Sequence, residues 1–240
     1  MTDMPCSPGP CLFDSGLTWR LHAENDGYTI CMRRGKSGDV YQMLQLSPDF
    51  TTGSLYAPFE LTDATRGFLS MDGALFQLWA SFLLTRHNGA VLHALGVKRD
   101  GQAHLFMGPS GAGKSTLAQL IADADAGEIL SDDRIIVRQT QDTVAAYGTP
   151  WNGDRHHHTA DLAPICAIYF LTQAPVCALT EIPASDAAAR LFASASVAGW
   201  PVMHAMQTVL AVTSAAAKSA RRYQFGFTPD NGALEALGWR

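Results

Sequence analysis

The sequence predicts an α/β protein with a β-rich leading segment, and three observations carry that prediction. A glycine-rich turn, Gly108 to Ser115, stands between an apolar strand pattern and an amphipathic helix pattern. Ahead of it, Leu17 to Leu46 breaks into short segments at turn residues. Beyond it, apolar strand patterns alternate with helical ones.

In the leading segment, Leu17–Ala23, Tyr28–Arg33 and Val40–Leu46 are separated by Asn25-Asp26-Gly27 and by Gly35–Asp39, the pattern of a β-meander. Ser47–Asp72 carries Pro48, Gly53, Pro58 and Gly67 with no sustained period and reads as a loop region or irregular cover. Gly73–His87 is rich in Ala, Leu and aromatic residues and predicts a largely buried helix, closed by the Asn88-Gly89 turn. We place a division here, with residues 1–72 as N-terminal arm and meander and 73–240 as the main domain. One continuous domain is the alternative.

Ala90–Val97 and Gln102–Met107 flank Lys98-Arg99-Asp100-Gly101, whose Asp-Gly pair predicts a hairpin. After the glycine-rich turn, Leu117, Leu120, Ile121 and Ala124 form a helical stripe that Gly127 ends. Glu128–Leu130 is then a short strand, Arg134–Arg138 and Thr143–Tyr147 a hairpin, and Ile165–Leu171 and Val176–Ile182 further strands. Ser185-Asp186 caps a helix through Ala193, Gly199–Lys218 forms another with Pro201 in its first turn, and Tyr223–Phe227 and Ala233–Leu237 close the chain as strand and helix.

Composition narrows the function classes. With 47% hydrophobic residues the 240-residue chain can bury a sizeable core. A formal net charge of −5 leaves no excess of Lys and Arg for a nucleic-acid backbone, so nucleic acid is excluded as a partner. The five cysteines, Cys6, Cys11, Cys31, Cys166 and Cys177, form no CxxC pair and read as reduced thiols. Met1–Pro10 lacks the features of a signal peptide and reads as a loose arm. The apolar stretch Ala74–Leu84 falls far short of the roughly 20 residues that span a bilayer. These features predict a cytoplasmic protein that is not held in a membrane; the oligomeric state, including a homo-oligomer, stays open.

Gly108-Pro109-Ser110-Gly111-Ala112-Gly113-Lys114-Ser115 satisfies G-x-x-x-x-G-K-[ST] in the strand-to-helix setting that this motif requires. Glycines let the backbone wrap closely around phosphates, so that successive N–H groups point at them from the positive end of a helix. The motif therefore predicts a nucleoside triphosphate site in which Lys114 reaches the β and γ phosphates and the Ser115 hydroxyl holds Mg²⁺. About a dozen residues then lead to Ser131-Asp132-Asp133-Arg134, the length of a single crossover, which predicts a parallel pair of strands with both aspartates beside the loop. One carboxylate can hold Mg²⁺ while the other accepts a proton from an attacking hydroxyl. The pattern alone does not order the two.

At these residues the chain resembles the C-terminal domain of HPr kinase/phosphorylase, whose phosphate-loop fold is akin to phosphoenolpyruvate carboxykinase. The resemblance rests on Val91-Leu92-His93-Ala94, the hairpin into Gly108–Thr116, and Leu130–Arg134. It covers Ala90–Arg138. Arg221–Pro229 resembles the closing strand of stand-alone HPr-kinase-like proteins, some of which accompany peptide-modification clusters, including those for lasso peptides. The resemblance implies a P-loop sheet of the HPr kinase/phosphoenolpyruvate carboxykinase type. It also implies Asp132 and Asp133 as Mg²⁺ ligand and catalytic base, and His93 near the transferred phosphate.

One departure bears on the substrate. The family's Ile-Glu-Ile-Arg-Gly-Leu-Gly signature has no match, and Thr149-Pro150-Trp151-Asn152-Gly153-Asp154 follows the hairpin instead, which argues against HPr as acceptor and against phosphorylase activity. Other features have plainer explanations beside the functional ones. His93 in an apolar strand also suits a core histidine, and His156-His157-His158 with Asp154 and Asp161 lacks metal-site spacing and suits an exposed loop. Arg134 and Arg155 suit surface pairs as well as phosphate contacts, and Trp151 suits either a packed loop or an acceptor pocket.

The expectation is an ATP- and Mg²⁺-dependent kinase acting on a serine or similar hydroxyl of a peptide or protein. In it Gly108, Pro109, Ser110, Gly111, Ala112, Gly113, Lys114, Ser115 and Thr116 cradle the nucleotide, Ser115 and Asp132 position the metal, and Asp133 is the base. The alternatives are a small-molecule kinase and a non-catalytic NTP-binding regulatory module.

Overall fold

The computed structural model describes residues 8–57, 62–63, 68–69, 73–151, 153, 158–196, 202–230 and 232–240. These group into two units, Met1–Arg86 with Gly199–Met203, and His87–Ala198 with His204–Arg240. The division falls after the first helix, α1 (Gly73–Thr85), whereas the sequence reading places it before that helix. The expected arm over Met1–Pro10 lies mostly outside the described residues, as does Cys6.

The first unit holds an antiparallel sheet in chain order: β1 (Cys11–Asp14), β2 (Trp19–Glu24), β3 (Gly27–Arg34), β4 (Asp39–Leu46) and β5 (Gly53–Tyr56). The three central strands are the predicted meander, with Leu21, Ile30 and Leu44 buried. The edge strand β5 corrects the reading of Ser47–Asp72 as loop, as does the short pair β6 (Thr62–Asp63) and β7 (Phe68–Leu69), and the edge strand β1 lies between the expected arm and meander, where the sequence predicts no strand. An edge strand is recruited by the free edge of its neighbour, so its own sequence needs little pattern. α1 packs through Phe82, which stacks on Phe50 at 4.9 Å, and Phe50 stacks on Tyr28 at 5.0 Å. Trp79 Nε1 donates to the Phe50 carbonyl at 2.9 Å. Leu75 and Phe82 are fully buried while Phe76 is 39% exposed, so α1 is buried along one stripe only.

The second unit is built on β8 (Gly89–Arg99), β9 (Gln102–Met107), β10 (Glu128–Ser131), β11 (Arg134–Gln139), β12 (Val144–Tyr147), β13 (Leu162–Gln173), β14 (Ala178–Glu181) and β15 (Arg221–Phe227). Helices α2 (Lys114–Asp123), α3 (Ala184–Ala193), α4 (Met203–Ser219) and α5 (Gly232–Leu237) complete it. Asp100 and Gly101 take φ of 50° and 73°, which turns β8 into β9 as the Asp-Gly pair predicts. β8 is long enough to serve two partners in succession: its first half pairs with β11 and its second half with β9 and β10. β13 pairs with β12 near its start, then lies parallel to both β9 and β15. The carboxyl ends of β9, β13 and β15 thus converge.

This topology corrects the expected crossover. β10 does not pair with β9; β8 lies between them, antiparallel to both. β9 folds back along β8, which therefore already occupies the neighbouring position, so the chain leaving α2 joins the far edge of β8. β14 is shorter than predicted, β13 longer, and α3 begins one residue before Ser185, after Pro183, which makes no side-chain cap. The start of the predicted Gly199–Lys218 helix lies outside the described residues; α4 is described from Met203.

The core of this unit is aromatic. Phe106, Tyr169 and Tyr223 stand opposite one another on β9, β13 and β15, with ring centroids 4.7 and 5.6 Å apart. Leu117, Ala118 and Ile121 of α2 are buried in the same cluster. No helix among the described residues is long and apolar enough to cross a membrane.

Candidate functional site

The turn from β9 into α2 lies at the converging strand ends. Gly111 has φ +79° and Gly113 φ +107°, a backbone that L side chains rarely adopt. A Cβ on Gly113 would come within 2.4 Å of the Phe227 ring, so the last residue of β15 sets how closely the turn packs. From β13, Gln173 Nε2 donates to the Gly111 carbonyl at 3.1 Å. Neither partner is signalled by its own sequence neighbourhood.

α2 starts without a side-chain cap, so the amides of its first turn have no side-chain acceptor. Lys114 is buried, and its Nζ donates to the carbonyls of Gly108 at 2.7 Å and Pro109 at 3.3 Å. Burial lowers its pKa, against the opposing pull of Asp133. Ser115 and Thr116 are exposed at the helix start.

The two aspartates have different surroundings. Asp132 is 4% exposed; its Oδ1 accepts from the Gly153 amide at 2.7 Å, while its Oδ2 is buried with no hydrogen-bond partner among the described residues. A buried carboxylate oxygen without a partner is costly and fits a hard cation. Asp133 is partly exposed and faces the histidine of β8: His93 Nδ1 lies 2.9 Å from Asp133 Oδ1. Arg134 Nη1 contacts His93 Nδ1 and lies 3.1 Å from the same Asp133 oxygen. Burial raises the pKa of Asp133, but the His93 hydrogen bond and the Arg134 charge outweigh it and leave the carboxyl below its usual value. Arg134 thus makes the pair with a neighbouring acid that its plainer explanation expects, and His93, half-buried, has a local partner in Asp133.

Ser110, Gly111, Gly113, Lys114, Ser115, Thr116, Asp132, Asp133, His93 and Gly153 line one cavity of about 400 Å³. Gly108, Pro109 and Ala112 belong to the turn but not to this lining. Trp151 is half-buried, its carbonyl accepting from Ser131 Oγ at 3.4 Å, and it does not line the cavity. His158 is exposed and bridges to Ser131; Asn152, Asp154, Arg155, His156 and His157 lie outside the described residues. No cluster of three or more His, Cys, Asp or Glu occurs among the described residues. Cys11, Cys31, Cys166 and Cys177 are free thiols.

No curated protein matches the chain. Among solved structures it is similar to the Hpr(Ser) kinase/phosphatase from Coxiella burnetii, at 11% identity, 61% of this chain and 86% of that chain covered, and a TM-score of 0.35. The family model described as SynChlorMet cassette protein ScmC matches residues 60–224, which include both the glycine-rich turn and the aspartate pair. With well over half of its length matched, the chain belongs to the ScmC family.

Proposed function

We propose that the chain is an ATP- and Mg²⁺-dependent kinase that moves the terminal phosphoryl group to a serine or similar hydroxyl on a peptide or protein. The observation that carries this reading is the meeting of the turn, Lys114, Ser115, Asp132, Asp133 and His93 in one cavity. In fold terms the reading is a P-loop sheet of the HPr kinase/phosphoenolpyruvate carboxykinase type, acting in the cytoplasm.

The amides at the start of α2 and Lys114 attract the polyphosphate, and Lys114 meets the charge that builds on the β and γ oxygens. Ser115 and Asp132 would hold Mg²⁺, which supplies charge neutralisation on the phosphates when bound. One protein carboxylate and one hydroxyl suffice, because Mg²⁺ fills its other positions with water and phosphate oxygens. Asp133 accepts the hydroxyl proton as the acceptor oxygen bonds to phosphorus and ADP departs. His93 fixes the carboxylate through Oδ1, which leaves Oδ2 to face the acceptor. Catalysis here is mostly positioning and electrostatics.

Label should pass from γ-labelled ATP to serine-bearing peptides with Mg²⁺ present, and not with EDTA or in Lys114→Ala. ATP binding without transfer to any hydroxyl would favour a nucleotide-binding module instead.

A further inference from the structure

A second cavity, of about 560 Å³, lies against the first residues of the turn. Phe170 and Leu171 of β13 give it an apolar wall, and Ala193 at the end of α3 stands on its lining. Arg190, one helical turn earlier, supplies a cation. The Arg190 guanidinium lies 5.2 Å from the Phe170 ring centroid, and its Nη1 donates to Gln224 Oε1 at 2.7 Å. No ion pair among the described residues includes Arg190. Its position is fixed by neutral partners while its charge stays uncompensated, an arrangement suited to an incoming carboxylate.

His93 lines this cavity and the polar one alike. The two therefore meet at the His93–Asp133 pair, where the proposed base stands. Whatever fills the second cavity lies next to the base rather than beside Ser115 and Thr116 at the far end of the turn.

We infer that the second cavity receives the phosphate acceptor, as a peptide segment that sets an apolar side chain against Phe170 and Leu171 and a carboxylate on Arg190, close to its serine. This rests on the kinase reading. The acceptor then carries two marks within a few residues of the hydroxyl, one apolar and one acidic.

The test uses the full chain, Mg²⁺, labelled ATP and a positional library of serine-centred peptides, with ATP affinity measured in parallel. Labelling should concentrate on peptides with an apolar and an acidic neighbour. Arg190→Glu should exchange the acidic preference for a basic one, which a merely unfolded variant cannot do. Ala193→Phe, which fills the cavity, should raise the acceptor KM by about ten-fold or more and move ATP affinity little. Labelling without these preferences, an unchanged acidic preference in Arg190→Glu, or lost ATP affinity with unchanged acceptor KM would overturn the inference, the last outcome assigning the cavity to the nucleoside. If ATP binds and no peptide is labelled, the kinase reading fails on its own. The cavity is then judged by capture of the same library on immobilised protein: selection for apolar and acidic neighbours upholds the acceptor site, and capture without it overturns that site.

Discussion

His93 Nδ1 on β8 and Asp133 Oδ1, in the bend just before β11, stand 2.9 Å apart, held there by the pairing of His93 with Arg134 in the β8–β11 ladder. Asp133 leaves the strand one residue before that pair, so its carboxylate turns toward the imidazole and the cavity. The sheet register itself thus delivers the acid to the histidine.

Asp133→Asn keeps the shape of the site and removes proton acceptance. Phosphoryl transfer should fall by roughly 10² to 10⁴ while ATP still binds. Single-turnover transfer alongside an ATP titration measures both; transfer within a few-fold of the parent would exclude Asp133 as base.

His93→Ala removes a hydrogen bond that lowers the Asp133 pKa. The carboxyl then protonates at higher pH, so the acidic limb of the kcat/KM profile should move upward in pH. An unmoved limb would separate His93 from the base.

Asp132→Asn should act through the metal. The Mg²⁺ concentration for half-maximal rate should rise by an order of magnitude or so, because the carboxylate charge is lost from the cation site. Rate measured across Mg²⁺ concentrations decides; equal loss at every concentration would point to a role other than ligation.

Gly113→Ala should unfold more easily. The φ of +107° alone costs a substituted residue about 1–3 kcal/mol, and the Phe227 ring adds to it. Urea denaturation should show a lower midpoint with an unchanged slope.

His104 predicts an acid-sensitive fold. Burial pushes its pKa down to about 4 from 6.5, with Arg221 and Arg99 adding to the shift. Its side chain lies edge-on to Trp239 and within 3.4 Å of Cys166 Sγ. The unfolded imidazole takes a proton below pH 6.5 and the folded one only near pH 4, so stability is lost as pH falls through that window. The loss is on the order of 2 kcal/mol, and His104→Phe should flatten this part of the curve. Urea midpoints at pH 7 and pH 4.5 for both proteins give the comparison.

What was legible in the sequence was local. The glycine-rich turn, the Asp100-Gly101 hairpin and the Leu117–Ile121 stripe are each set by residues a few positions apart, and each stands where its pattern predicts. The insertion of β8 between β9 and β10 was hidden, because strand order depends on which edge is free when the chain returns. The distinction between Asp132 and Asp133 was hidden too. A register irregularity between Ile129 and Ser131 precedes them, and the backbone there sends one carboxylate to the Gly153 amide and the other to His93. Phe227 and Gln173, which shape the turn, lie more than fifty residues from it, and no local pattern marks them.

The changeover of β8 from one partner set to the next has a spectroscopic consequence. At that joint the His93 amide is bonded to the Ser194 carbonyl, just beyond α3, and the Ala94 amide to the Asp133 carbonyl. Two successive protons on one strand therefore watch different hinges: the first exchanges with solvent deuterium when the end of α3 lifts away, the second when the aspartate turn opens. Their relative exchange rates give a clock for each side of the cavity separately, without a label and without a substrate.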